Sequence, residues 1–110
     1  MILIISSWEV KRAVINENTI ANNEVVALVA AHKICIVNLA FTVDAEANIS
    51  LNTNDVPITG LMDFGAANEP RGFVSNHGNF PLKTLLGEAF KIQSSTTARI
   101  AGYVIYYEGL

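Results

Sequence analysis

The chain is short of cysteine, proline, charge and histidine, and each shortage narrows what it can be. A single cysteine, Cys35, cannot close an intrachain disulfide, which fits folding in a reducing compartment. Only 15% of residues are charged and 51% are apolar, against a usual charged share of roughly 25%. A domain of 110 residues has much surface to cover, so sparse charge points to surface hidden against other chains. Seven Lys and Arg, scattered without a cluster along a chain of net charge −3, argue against a nucleic-acid binder, which presents a basic face to phosphates. Long hydrophobic runs are missing too. Met1-Ile2-Leu3-Ile4-Ile5 is too short to span a membrane and has no basic residues before it to make a signal peptide. The expectation is therefore synthesis in a cytoplasm, with no membrane and no nucleic acid among the partners.

Chemistry-bearing motifs are equally scarce. His32 and His77 lie far apart, each without a second His, Cys or carboxylate at ligand spacing, so no metal site is expected. Ser6-Ser7 and Ser94-Ser95 sit outside any Gly-x-Ser-x-Gly elbow, and no glycine-rich phosphate cradle is present. Asp44, Glu46, Asp55, Asp63 and Glu69 fall in or near loops, and a pair of acids for glycoside cleavage stays open among them, since sequence does not show proximity. The expectation is a protein that is not an enzyme and carries no cofactor. Cys35, inside Ile34-Cys35-Ile36-Val37, reads as a small buried thiol.

What the chain does have is short apolar alternation broken by polar punctuation, the pattern of a sandwich rather than of βαβ units. Strands are expected near 2–5, 12–16, 24–29, 33–43, 47–52, 58–63, 72–75, 88–93 and 98–108. Asparagine-rich stretches such as Asn52-Thr53-Asn54-Asp55 and Asn76-His77-Gly78-Asn79 supply the loops. The fold class is all-β: an antiparallel, jelly-roll-like β-sandwich of about eight strands. Residues 1–11 form an apolar arm or edge strand, and residues 12–110 form one domain.

Two segments are apolar on both faces. Cys35, Val37, Leu39, Phe41 and Val43 alternate with Ile34, Ile36 and Ala40; Ile100, Val104 and Tyr106 oppose Ala101, Tyr103, Ile105 and Tyr107. A strand of this kind is either central or covered on its outer side by a second chain. Aromatic residues form the other candidate surface. Trp8, Phe64, Phe73, Phe80, Tyr103, Tyr106 and Tyr107 could serve as core, protein interface or sugar-stacking platform. Tyr106 and Tyr107 are adjacent and so must point to opposite faces of a strand. Trp8 is open to two readings, core and intersubunit contact.

Three segments resemble a recurrent family of small bacteriophage virion proteins, the β-sandwich type that decorates or cements capsids. Residues 25–37, from Val25-Val26-Ala27-Leu28 through His32-Lys33-Ile34 to Val37, resemble its strand, tight turn with a basic residue, and second strand. Lys83-Thr84-Leu85-Leu86-Gly87-Glu88-Ala89-Phe90-Lys91-Ile92 is similar to its T-x-x-G-E-A-L-x-L turn into a strand. Ala101-Gly102-Tyr103-Val104-Ile105-Tyr106-Tyr107-Glu108 is similar to its closing G-x-V-x-Y-x-E strand. Ala31-His32 stands where that pattern usually has Gly. The resemblance implies a virion structural protein on the capsid exterior, made in the host cytoplasm. It implies a homotrimer whose partners are itself and the major capsid protein. A phage head-fibre or tail component and a small carbohydrate-binding sandwich remain the alternatives. On this reading Ile2, Leu3, Ile4, Ile5, Trp8, Tyr103 and Tyr107 are interface residues. Gly87 gives the turn its backbone freedom, and Gly102 lets another backbone or a bulky ring approach the last strand.

Overall fold

The computed structural model describes residues 9–110, all of them in strands, turns and loops without a helix. Ten strands follow in order: β1 Lys11–Glu17, β2 Asn22–Val26, β3 Lys33–Val43, β4 Ala47–Thr53, β5 Val56–Pro57, β6 Met62–Phe64, β7 Gly72–Asn76, β8 Leu82–Lys83, β9 Phe90–Ser94 and β10 Ile100–Gly109. They build two antiparallel sheets. One runs β1-β10-β3-β7 with β8 also on β3, and the other runs β2-β9-β4-β5 with β6 also on β4. Because β7 and β8 share one edge of β3, and β5 and β6 one edge of β4, the ten segments fill eight strand positions. The first four strands alternate between the sheets and the last two do so again, which is the winding of a jelly roll. The expectation of about eight strands holds in this sense. Of the arm or edge strand expected over residues 1–11, residues 1–8 lie outside the described residues, and Lys11 already opens β1.

The core lies between the sheets. Ile34, Ile36, Leu39, Ile49, Leu51, Phe90, Ile92, Ile100 and Val104 are fully buried there. Phe41 joins the layers, its ring centroid 5.5 Å from both Phe64 and Phe73. Burying such side chains is worth about 1.5–3 kcal/mol each, which is what selects this pairing over its alternatives.

Several boundaries differ from the sequence reading. The strand expected over 24–29 begins at Asn22 and ends at Val26, after a bulge at Val25. Beyond it Ala31 adopts φ 62° and His32 N–H donates to Val29 O at 3.1 Å, so the chain turns where alternation continues. The strand expected over 58–63 is reduced to Met62–Phe64. There Ile58 and Thr59 N–H groups both turn back to Leu51 O instead of extending a ladder.

The face assignment of β3 is also corrected. Ile105 pairs with Asn38 and Tyr106 with Ile36, leaving Val37 as an extra residue. This β-bulge shifts the phase of alternation by one. Ile34 and Ile36 therefore share the core with Leu39, Phe41 and Val43, while Cys35 takes the opposite face. Cys35 is nonetheless fully buried and unpaired with any other cysteine. Both strands that read as apolar on two faces, β3 and β10, are the central pair of their sheet.

Candidate functional site

The outer face of the β1-β10-β3-β7 sheet is the most distinctive surface among the described residues. Its register sets three rows across four strands. One row is Asn16, Ala101, Thr42 and Gly72; the next is Val14, Tyr103, Ala40 and Val74; the third is Arg12, Ile105, Asn38 and Asn76. The middle row is apolar from edge to edge, with Val14 72%, Val74 77% and Tyr103 39% exposed. Arg12 is the one charged group in the twelve positions.

Between the ridges made by Tyr103 and Val74 lies an open groove of ≈ 290 Å³, floored by Ala40, Ala101 and Gly72. The groove exists because its floor residues are small. Gly102 contributes from below: a Cβ there would sit 1.9 Å from Ala40 O, so only glycine lets β10 lie this close to β3. The side-chain oxygen of Asn38, on the same face, is buried without a hydrogen-bond partner, which is unusual for a native polar atom.

A second apolar surface sits at one end of the sandwich. The turn through 29–32 and the turn through 84–89 meet there. Gly87 N–H donates to His32 O at 2.7 Å, and Thr84 and Ile34 exchange two bonds, at 3.0 and 2.9 Å. Two of the segments that carry the family resemblance are thus folded onto each other. Gly87 has φ 72°, a left-handed conformation that favours glycine. Behind it Thr53 Oγ1 accepts from Leu85 N–H and donates to Glu88, both at 2.8 Å. With the backbone so tied, Leu28, Leu85 and Leu86 are left more than half exposed.

The opposite sheet presents a polar outer face. Asn52, 1% exposed, donates to Asn22 Oδ1 at 3.1 Å and Gln93 Oε1 at 3.2 Å, and accepts from Ser50 at 2.9 Å. Glu24 and Lys91 pair across the same face. The two sides of the sandwich are therefore unlike.

Of the interface residues expected from the sequence, Ile2, Leu3, Ile4, Ile5 and Trp8 lie outside the described residues. Tyr103 stands in the apolar row. Tyr107 is half-buried and packs within its own chain. Its ring lies where a Cβ on Gly109 would meet it at 2.8 Å, beside the Cys35 thiol. Burial, and then that thiol, push the Tyr107 phenol above its ordinary pKa. The exposed aromatic side chains among the described residues are Phe80, in the loop after β7, and Tyr103, on β10.

Polar clusters elsewhere are structural. Ser75 Oγ and His77 Nε2 are in short hydrogen-bond contact at the end of β7, where His77 N–H donates to Val37 O at the bulge. Asp44 Oδ1 accepts from Arg99 N–H at 2.7 Å, and its carbonyl accepts from Arg71 at 2.9 Å, closing the loops at the far end. Lys11 and Glu108 form an ion pair at 3.3 Å that raises the lysine pKa. Among the described residues no group of three or more His, Cys, Asp or Glu side chains converges to hold a metal ion.

The fold and its surfaces define a jelly-roll-like β-sandwich with one sheet face of low charge and one apolar end. No family model, curated protein or solved structure matches the chain.

Proposed function

We propose that this chain is a non-enzymatic structural protein of a bacteriophage virion, which decorates or cements the capsid through contacts with copies of itself and with the major capsid protein. The observation that carries the reading is the distribution of exposed apolar surface. A rigid sandwich offers a sheet face of low charge around Tyr103 and an apolar end at Leu28, Leu85 and Leu86. Surfaces of this kind mark sites of protein contact. The resemblance of residues 25–37, 83–92 and 101–108 to the decoration family supplies the virion and the capsid exterior.

The apolar end suits the capsid contact. Its leucines stand on two turns braced by backbone hydrogen bonds, so docking them costs little ordering entropy. The polar sheet would then face solvent. The test is composition of purified particles. Virions from cells that make the chain should contain it at a fixed ratio to the major capsid protein, and Leu85→Asp with Leu86→Asp should remove it from particles without unfolding it. Particles lacking the wild-type chain would overturn the reading.

A further inference from the structure

We propose that two copies of this chain pair face to face through the β1-β10-β3-β7 sheet, about a two-fold axis that runs along the strands between β10 and β3. The inference rests on the register of the outer face and does not depend on a virion role. A two-fold contact places one surface patch against itself, so the patch must be complementary to its own rotated image. Rotation about the stated axis lays β1 of one copy over β7 of its partner, and β10 over β3. Each row can then be checked for size and charge.

In the middle row Val14 meets the partner's Val74, and Tyr103 meets the partner's Ala40. The largest side chain of the row thus faces its smallest, at the groove floored by Ala40. The neighbouring row sets Asn16 against the partner's Gly72, and Ala101 against the partner's Thr42, large against small twice more. Ridges meet hollows at these three pairs, with Tyr103 and Asn16 set over Ala40 and Gly72, and Thr42 over Ala101. An arrangement aligned within about 30° is also the ordinary way for two twisted sheets to stack.

The third row adds polar complementarity. Ile105 lies over the partner's Asn38, and Arg12 over the partner's Asn76, the strand neighbour of Asn38. The Arg12 guanidinium then faces the exposed side-chain amide of the partner's Asn76, a neutral polar group rather than a like charge.

Size fits as well. The twelve outward positions span roughly 20 by 20 Å at ordinary strand and residue spacings. With the exposures found there they offer roughly 700 Å² of accessible surface per copy, close to the ~800 Å² per partner of a standard interface. A face with one charge in twelve positions also meets its own copy with little like-charge repulsion. A second copy is therefore the occupant the geometry selects.

The pairing predicts an even copy number in solution, where the resemblance implies three, so mass separates the two. Sedimentation equilibrium and native mass spectrometry of the full chain should give a reversible dimer. Two double variants locate the axis. Val14→Lys with Val74→Glu places opposite charges together across the interface and should leave the dimer in place. Val14→Lys with Val74→Lys places like charges together and should weaken it by at least about 100-fold. Val14 and Val74 are separated by two strands within one copy, so neither pair of changes creates an internal contact. Both side chains are more than 70% exposed, and matching urea midpoints would verify that the fold is intact. A monomer at 100-micromolar-scale concentrations, a trimer, or identical behaviour of the two double variants would each overturn the proposal. Particle composition has no bearing on it.

Discussion

Gly102→Ala is the sharpest test of how this sandwich is held together. Gly102 lies in β10 opposite Phe41 of β3, the two central strands of their sheet. An added Cβ would lie 1.9 Å from Ala40 O, 2.6 Å from Phe41 Cα and 2.8 Å from Ala40 C. All three atoms are backbone, so no side-chain rotation relieves the clash. Restoring ordinary contact requires the strands to part by more than about 1 Å, against a hydrogen-bonded spacing of ~4.8 Å. Roughly two ladder bonds flank the position, each worth about 1 kcal/mol net. Overpacking of the layer beneath, where Phe41 and Val104 sit, adds about 1–3 kcal/mol. The total is about 3–5 kcal/mol, a large part of the ~5–15 kcal/mol of a typical domain. Urea unfolding followed by far-UV circular dichroism reads it directly. Gly60→Ala is the control, because a Cβ there meets nothing within 4 Å; it should be neutral or stabilise by up to about 1 kcal/mol through the unfolded state. A Gly102→Ala loss below about 1 kcal/mol would refute the account, since overpacking between fixed backbones cannot be that cheap.

Three further changes probe other parts of the fold. Ala31 holds φ 62°, which costs an L-residue about 1–2 kcal/mol; Ala31→Gly should recover about 0.5–1 kcal/mol after the extra backbone entropy of glycine, and an unchanged or lower thermal midpoint would contradict it. Thr84→Val removes the hydroxyl that accepts Ile34 N–H at 2.9 Å and strands a fully buried donor; it should cost about 1–3 kcal/mol and speed exchange of the Ile34 amide, whereas intact protection of that amide would count against it. Burial raises the Glu17 pKa above its ordinary 4.5, so the fold binds that proton more tightly than the unfolded chain does. Stability from this source is complete below the ordinary value and is lost as pH rises through the raised one. Glu17→Gln should accordingly flatten the fall in thermal midpoint from pH 4 toward neutrality, and equal slopes in the two proteins would show that the carboxyl is not the cause.

The strands were most legible where one phase of alternation was apolar and the other was not. β7 is such a case, with Phe73 and Ser75 inward and Gly72, Val74 and Asn76 outward. β3 kept its expected limits, Lys33–Val43, but its faces were misassigned. Both phases are apolar over 34–37, so a period of two runs through the Val37 bulge without a visible break. The mark of the slip was the apolar residue in every position, which an uninterrupted strand with one solvent face does not need. Over 25–29 alternation persisted past the end of β2 because Ala27 and Val29, which follow the strand, are apolar too. The candidate face was legible only in part, through Tyr103 and the two-faced apolar pattern of β3 and β10. Val14 and Val74 are unremarkable in sequence, and the row forms only through cross-strand register, which depends on long-range pairing rather than local pattern.

The low charge of the chain takes on meaning once it is mapped onto the two sheets. Charge is not uniformly thin. The β2-β9-β4 face carries Glu24 and Lys91, together with the amides of Asn22, Asn52 and Gln93, bonded to one another. Covering that face would trade water for contacts its amides already make, and would strip the charged pair of solvent, at a cost. On the β1-β10-β3 face the middle row has no polar group beyond the Tyr103 hydroxyl, so covering it releases apolar surface at roughly 25 cal/mol per Å². The small residues that admit a partner there, Ala40 and Gly72, sit beside Gly102, which must be glycine to bring β10 against β3. One requirement of the core thus shapes the outside: the close approach that Gly102 permits draws the two central strands together beneath the hollow that Tyr103 of a second copy would fill.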